Sequence, residues 1–542
     1  MLLTSLFAQA RALCRARGKS GRGVGAIRKR SHARRASFER LEAREVLSSF
    51  SPIPGVVVAS VGEATSDSAR DSFLASDGKI LVAGASRSSV QDFAALRFQA
   101  DGTLDSTFGT GGVVVTRVGP YGSVAFAAAG YPASPADKIV LAGSAPSIPK
   151  RGSIQADFAL ARYNADGSLD STFNYKQVTK KSATFGTVQT DLGGGGGAWQ
   201  KEYITDALVQ PDGKIVAGGV SDASGAERFT LARYTAAGKL DTTFGVGGVV
   251  TTSFGGTLDR AAAVTLHQGN ILAVGTGFGV GVGADFALAR YTSNGSLDTS
   301  FGAGGKVVTD FGEGDMLAAV AIDADDTIVV IGNAQQGGIC RFGLARYLPN
   351  GSLDASFGTG GRVQSDLGHE GPVPSDVAID PGSRKIVAVG TADDRGGEFL
   401  VARFNADGSL DSTFGTGGVV FTAIPNLSAR AKSVLIQPDG KIVVSGDGFD
   451  LPYVSPGHYR IALARYDTYG NLDPSFGASG AAGASSESPV ALTDAALADA
   501  GRQQLALAAL LQYEDQLQAK PAARSKGLEV PAVDLALLDL AG

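Results

Sequence analysis

The chain has 542 residues, with 48 Lys and Arg against 53 Asp and Glu, 75 glycines and a formal net charge of −5. Residues 1–50 hold 12 Lys or Arg and 3 Glu, so the remaining body is distinctly acidic; this excludes a nucleic-acid platform, which needs clustered cations. Glycine at about twice its usual share without an every-third-residue period excludes collagen, and no run approaches the roughly 18 apolar residues of a membrane-spanning helix.

The first 50 residues start apolar (MLLTSLF) and turn arginine-rich, the reverse of a secretory signal's order. They continue as RKRSHARRASFERLEAREVLSSF, which resembles the N-terminal export-associated motif of large planctomycete surface proteins. That motif has an L-E-P-R-x-L-L core behind an Arg-rich stretch and an aromatic-Glu pair. Leu41, Glu42, Arg44 and Leu47 match it, Phe38 and Glu39 precede them, Ala43 replaces the proline and Val46 replaces a leucine. The resemblance implies a basic, unfolded leader over residues 1–50 and an extracellular or cell-surface protein.

From residue 51 to 480 one unit recurs seven times. Its LARY-type arginines are Arg97, Arg162, Arg233, Arg290, Arg346, Arg403 and Arg465. Eight residues after each stands an aspartate: Asp105, Asp170, Asp241, Asp298, Asp354, Asp411 and Asp473. Three further on stands a phenylalanine: Phe108, Phe173, Phe244, Phe301, Phe357, Phe414 and Phe476. Fixed offsets in all seven copies define an internal repeat. The unit "DGKI…G…DFALARYNADGSLDSTFGTGG" resembles the delta-60 repeat of bacterial, often secreted, tandem-repeat proteins, a resemblance that implies a fold and a surface setting rather than an activity.

Each unit offers five strand candidates: "GGVVVT", "AAAVTL", "KIVAGG", "FALARY" and "SLDSTF". A blade needs an even number, because the chain must return to the face where it entered. "SLDSTF" is the least strand-like, so "NADGSLDSTFGTGG" is expected to carry the chain from blade to blade, with "GGVVVT" as the first strand of each unit. "QPDGK" at Gln210 and Gln437 reads as a hairpin turn, since Asp-Gly accepts the positive φ such turns require. Seven four-stranded units predict an all-β, seven-bladed β-propeller of antiparallel blades; a β-solenoid is the alternative. "PGVVVAS" at Pro54 supplies a first strand for unit one, so the ring can close.

Alternation along "DFALARY" places Phe158, Leu160 and Arg162 on one face. An arginine there needs a partner, and the aspartate eight residues on is the expected one, with the phenylalanine filling the gap between blades. Groups required seven times are structural; a catalytic group is needed once.

Chemistry is sparse. There is no H-E-x-x-H, G-x-S-x-G or P-loop, and the glycine-rich "GTGFGVGVGAD" at Gly275 has no following helix, so it reads as a flexible loop. The four histidines are His32 in the leader, His267 beside a turn, and His369 and His458, which could meet on one face. No metal ligand set and no cofactor is assigned, except that Asn164, Asp166 and Asp170 in "NADGSLD" have the oxygen spacing of a calcium loop. Three long loops, 144–156, 191–203 and 447–460, are expected on the face opposite the PDGK turns. They hold Lys150, Arg151, Trp199, Lys201, Tyr203, Tyr453 and His458, aromatic and basic residues suited to a protein or glycan partner.

After Ala478 the repeat stops. "GASGAAGASSESP" reads as a linker, and the Ala- and Leu-rich segment that follows, within residues 481–542, reads as a short helical tail. The expectation is a secreted or cell-surface, non-catalytic module that binds or scaffolds protein or polysaccharide partners. The alternative is a propeller-type hydrolase or lyase with a metal in its central channel.

Overall fold

Short runs of Val, Ile, Leu and Ala, each ended by a Gly-containing turn, have too little length for helices and enough branched apolar surface to pair as strands. A computed structural model describes residues 53–62, 66–131, 138–147, 155–179, 182–193, 201–278, 283–368, 371–392, 396–451 and 458–478, and these contain thirty strands and no α-helix. The leader and the helical tail read from the sequence lie outside the described residues.

The chain first lays down β1 (Val56–Ala59). Blade one is β2 (Ser66–Leu74), β3 (Ile80–Arg87), β4 (Gln91–Phe98) and β5 (Val113–Thr116). Blade two is β6 (Val124–Gly130), β7 (Ile139–Ser147) and β8 (Gln155–Tyr163), then an inserted hairpin, β9 (Lys176–Thr179) and β10 (Ser182–Thr184), before its outer strand β11 (Thr187–Thr190). Blade three comprises β12 (Glu202–Val209), β13 (Ile215–Ser221), β14 (Arg228–Tyr234) and β15 (Val249–Thr252). Blade four comprises β16 (Arg260–His267), β17 (Asn270–Phe278), β18 (Ala284–Tyr291) and β19 (Lys306–Thr309). Blade five runs β20 (Met316–Ile322), β21 (Ile328–Gln336), β22 (Ile339–Tyr347), β23 (Arg362–Ser365), and blade six β24 (Val373–Ile379), β25 (Ile386–Ala392), β26 (Glu398–Phe404), β27 (Val419–Thr422). Blade seven is β28 (Leu427–Ile436), β29 (Ile442–Asp450) and β30 (Tyr459–Tyr466), completed by β1 in the order β28-β29-β30-β1.

The protein is therefore a seven-bladed β-propeller with four antiparallel strands per blade. The phase of the repeat differs from the sequence reading. "GGVVVT" is the outermost strand of the sheet begun by the preceding "AAAVTL", and "NADGSLDSTFGTGG" joins the third and outer strands of one blade rather than two blades. β1 accordingly finishes blade seven, with Val57 opposite Leu463, instead of opening blade one. A cyclic repeat has no intrinsic start; the ends of the array set the phase. Because antiparallel strands alternate direction, the shift leaves the PDGK turns and the "NADGSLDSTFGTGG" connections at one end of the blades, opposite the strand ends from which the loops 144–156, 191–203 and 447–460 depart.

The core lies between blades. Between blades two and three, Val140, Phe158, Leu160 and Phe173 meet Ile204, Val209, Ile215 and Tyr234, all buried. The tyrosine of LARY also reaches back to the neighbour: Tyr291 Oη donates to Thr252 Oγ1 (2.7 Å), Tyr347 to Thr309 (2.8 Å) and Tyr466 to Thr422 (2.7 Å), in each case the last residue of the preceding blade's outer strand. Burying a ring without stranding its hydroxyl is the way tyrosine fits an apolar layer.

Candidate functional site

The recurring charges form a joint between blades. Arg162 Nε donates to Asp170 Oδ2 at 2.7 Å, its guanidinium lies 4.4 Å from the centre of the Phe173 ring, and Nη1 donates to Ala236 O of the next blade. Asp170 Oδ1 accepts from Thr172 N and Oγ1, closing a turn. The phenylalanine fits a hole that only glycine leaves: Gly238 of blade three has φ +79°, and a Cβ there would stand 2.7 Å from the Phe173 ring. The ring closes by the same device, since Arg465 Nη1 donates to Ala100 O (2.6 Å), Gly477 N to Asp101 O (2.7 Å), and Phe476 abuts Gly102. All seven arginines reach their aspartate within 3.0 Å or less.

A second cation at this joint was not anticipated. The lysine just before the isoleucine that opens the second strand supplies it: Lys138 Nζ lies 2.7 Å from Asp170, Lys385 2.5 Å from Asp411 and Lys441 3.1 Å from Asp473. Burial alone would raise the Asp170 carboxyl; Lys138, Thr172 and Arg162 together hold it well below the usual carboxylate range. The recurring Lys-Ile pair, at Lys79, Lys138, Lys214, Lys385 and Lys441, carries the signal in the sequence. In Asp170 the calcium-loop spacing thus coincides with a carboxylate bound to two cations, while Asp166 Oδ1 accepts from Ser168 N and Oγ.

The lumen is lined by the inner strands β2, β6, β12, β16, β20, β24 and β28, not by the Val/Thr-rich strands that the sequence reading makes the first of each unit. Every inner strand carries a bulge at the same register position, after Ala69, Ala125, Ile204, Ala261, Leu317, Pro374 and Ala431. A bulge re-aims side chains. The residues it delivers to a cavity of about 140 Å³ include Arg70, Asp71, Thr205, Asp206, Asp376 and Lys432. The three aspartates are clasps. Each accepts the N–H of its own successor on Oδ1 and an N–H of the next blade on Oδ2: Asp71 from Ala128, Asp206 from Val264, Asp376 from Val434, all at 2.8 Å. Burial raises the carboxyls, to about 7 at Asp206 and about 6 at Asp376, and raises Asp71 too, with Asp206 and Asp376 adding repulsion there.

At the opposite end from the PDGK turns, two carboxylate groups recur in register. Asp157, Asp191 and Glu202 between blades two and three, and Asp285, Asp310 and Asp315 between blades four and five, each bring three ligand atoms within 4.8 Å of one another. Among the described residues these are the sets whose spacing suits a metal ion. In blade one the first two positions hold Asp92 and Arg117, paired at 3.0 Å; in blade three Arg228 and Asp259 occupy the first and third, 3.5 Å apart. Burial, with the neighbouring carboxylates, raises Glu202 to about 7 and Asp315 to about 6.

Of the rim residues, Lys201 is exposed and 3.2 Å from Glu227, and His458 is half-buried. Tyr203 is only 2% exposed, because its position on β12 turns the ring into the protein, so it does not form part of an open rim. Lys150, Arg151, Trp199 and Tyr453 lie outside the described residues, as does His369. His267 is buried and spent on the joint of blade four, with Nε2 2.9 Å from Asp326 O and Nδ1 3.1 Å from Arg290 Nη1.

Fold and joints define a closed propeller of tandem repeats. Seven segments, 75–108, 136–173, 210–244, 269–301, 324–357, 383–414 and 437–476, match the model of the family described as "Domain of unknown function (DUF5122) beta-propeller", one per blade. No curated protein sequence matches the chain. Similar solved structures include a protein of unknown function from Dyadobacter fermentans (13% identity, TM-score 0.39, covering 76% of this chain and 99% of that one). Sqt1 from Chaetomium thermophilum is 13% identical with TM-score 0.36, over 77% of this chain and 86% of its own. The NanB sialidase from Streptococcus pneumoniae is 8% identical with TM-score 0.37, over 74% and 68%.

Proposed function

We propose that the protein is a non-catalytic, secreted or surface-attached module that binds protein or polysaccharide partners through the end of the propeller opposite the PDGK turns. The observation that carries this reading is the contrast between the two ends. At the joint end, each arginine, aspartate and phenylalanine is spent on holding a neighbour. At the other end the connections differ from blade to blade: Gly337 and Gly338 alone separate β21 from β22, whereas residues 451–458 separate β29 from β30. Variable loops on a rigid frame are where recognition is built. The test is a binding screen of the full chain against glycans and cell-envelope fractions, with calcium and then with chelator. Saturable binding that is lost in Trp199→Ala and retained in a joint variant such as Lys138→Met supports the reading. Absence of binding in both conditions, or binding indifferent to every loop substitution, refutes it.

A second reading, a hydrolase or lyase acting in the lumen, is favoured by the raised carboxyls of Asp206 and Asp376, which suit a general acid near neutral pH. Turnover abolished by Asp206→Asn in a folded protein would replace the first reading with this one.

A further inference from the structure

The lumen holds charge that the clasps do not explain. Arg70 and Lys432 come from the bulges of β2 and β28, neighbours at the point where the ring closes, and both line the cavity. Arg70 Nε is buried without a hydrogen-bond partner among the described residues, and its guanidinium stands 5.9 Å from the Phe126 ring centre. Asp447 of β29, 3% exposed and electrostatically coupled to Arg70, likewise leaves Oδ1 without a partner. Asp447 stands behind the cavity lining, so the unmet group that faces a ligand is the Arg70 donor, whose desolvation a ligand carboxylate would return. Around the rest of the cavity, Thr205, Asp206, Ser375, Asp376 and Asp71 present hydroxyls and carboxylates. Both Asp206 oxygens, Asp376 Oδ1 and Asp71 Oδ2 have a further lone pair beyond the one a backbone N–H uses, whereas Asp376 Oδ2 also accepts from Ser433 Oγ at 3.0 Å.

From this arrangement we infer that the lumen binds a small hydroxylated carboxylic acid of the sugar-acid class. The carboxylate is held by Arg70 and Lys432, and the hydroxyls are held by the aspartates of blades one, three and six. An anion without hydroxyls would leave the aspartates facing it as repulsive charges, and a neutral sugar would leave Arg70 unmet. The site is separate from the loop-bearing end and does not rest on the reading given above.

The test is calorimetric titration of the full chain with gluconate and glucuronate, using acetate and glucose as controls. The expected result is one-site binding of an acid and none of either control. Arg70→Gln should weaken it roughly tenfold or more, as loss of a charge-assisted hydrogen bond does. Lys432→Gln, checked for an unchanged melting temperature, reads the same site if Arg70→Gln fails to fold. Asp206→Asn should reduce the preference for gluconate over acetate. The inference is overturned if neither acid binds, which would leave Arg70 and Asp447 as an internal charge pair. It is equally overturned if binding is unchanged in a folded Arg70→Gln or Lys432→Gln protein.

Discussion

Substituting Gly351 by alanine tests the blade joint at the hole that receives the preceding blade's phenylalanine. Gly351 has φ +87°, and a Cβ built there lies 2.9 Å from the ring of Phe301, which is itself fully buried under the Arg290 guanidinium at 4.6 Å. Placing alanine in the left-handed region costs about 1–2 kcal/mol by itself. Overpacking against the ring adds about 1–3 kcal/mol, because the ring is pinned between Arg290 and the next blade. Phe301→Ala alone should cost about 3–5 kcal/mol. The informative quantity is the double variant: once the ring is gone the clash vanishes, so Gly351→Ala should then cost only its backbone strain. The two single costs should therefore exceed the double by about 1–3 kcal/mol in a double-mutant cycle from urea unfolding. Additive costs would refute the knob-in-hole joint, and a silent Phe301→Ala would refute the packing altogether.

Three further outcomes follow from the charges. Arg290→Ala leaves Asp298 and His267 without their cation and should destabilise by about 3–5 kcal/mol, read by the same unfolding assay, with Arg290→Lys recovering only part because one compact ammonium cannot span the acceptors Asp298, His267, Pro349 O and Ser300 Oγ that the guanidinium fork reaches. Stability should peak on the acid side of neutrality. Glu202, Asp206, Asp315 and Asp376 bind protons more tightly folded than unfolded, so their contribution is full below pH 4 and is lost as pH rises through about 6 to 7. Asp170 and Asp411 act in the opposite sense, contributing above pH 4 and losing that contribution in strong acid. Melting temperature measured from pH 3 to 8 should therefore pass through a maximum near pH 4–5. Asp206→Asn should flatten its fall between pH 5 and 8; an unchanged slope in that variant would exclude Asp206 as a source.

Much of this architecture was legible because it repeats. Seven Arg-Asp-Phe sets at fixed offsets indicate seven equivalent contacts, and turns rich in Gly, Asn and Asp divide each unit into strands. The phase was not legible, since "GGVVVT" reads equally well as a first or a last strand until the free edge of β30 is seen to take β1. The lumen is illegible for the same reason, since taking "GGVVVT" as the first strand puts its Val and Thr nearest the axis. The aspartates that do face it, Asp71, Asp206 and Asp376, stand at one position of the inner strand in three of the seven units. Their orientation depends on a bulge, and a one-residue bulge inverts the alternation by which faces are read from sequence. Arg70 could be assigned to the lumen only once the bulge was known. By contrast, the lysine before the second strand's isoleucine is visible in five of the seven units and lacks only a recognised partner.

The central claim is that the ring is shut by its N-terminal strand, so that all seven joints act together. The direct measurement compares urea unfolding of a chain beginning at Ile53 with one beginning at Val61, which lacks only β1 and its turn. The account predicts a marked loss of stability for the shorter chain, with the exposed edge of β30 promoting association. Coincident unfolding curves and an unchanged oligomeric state would contradict it.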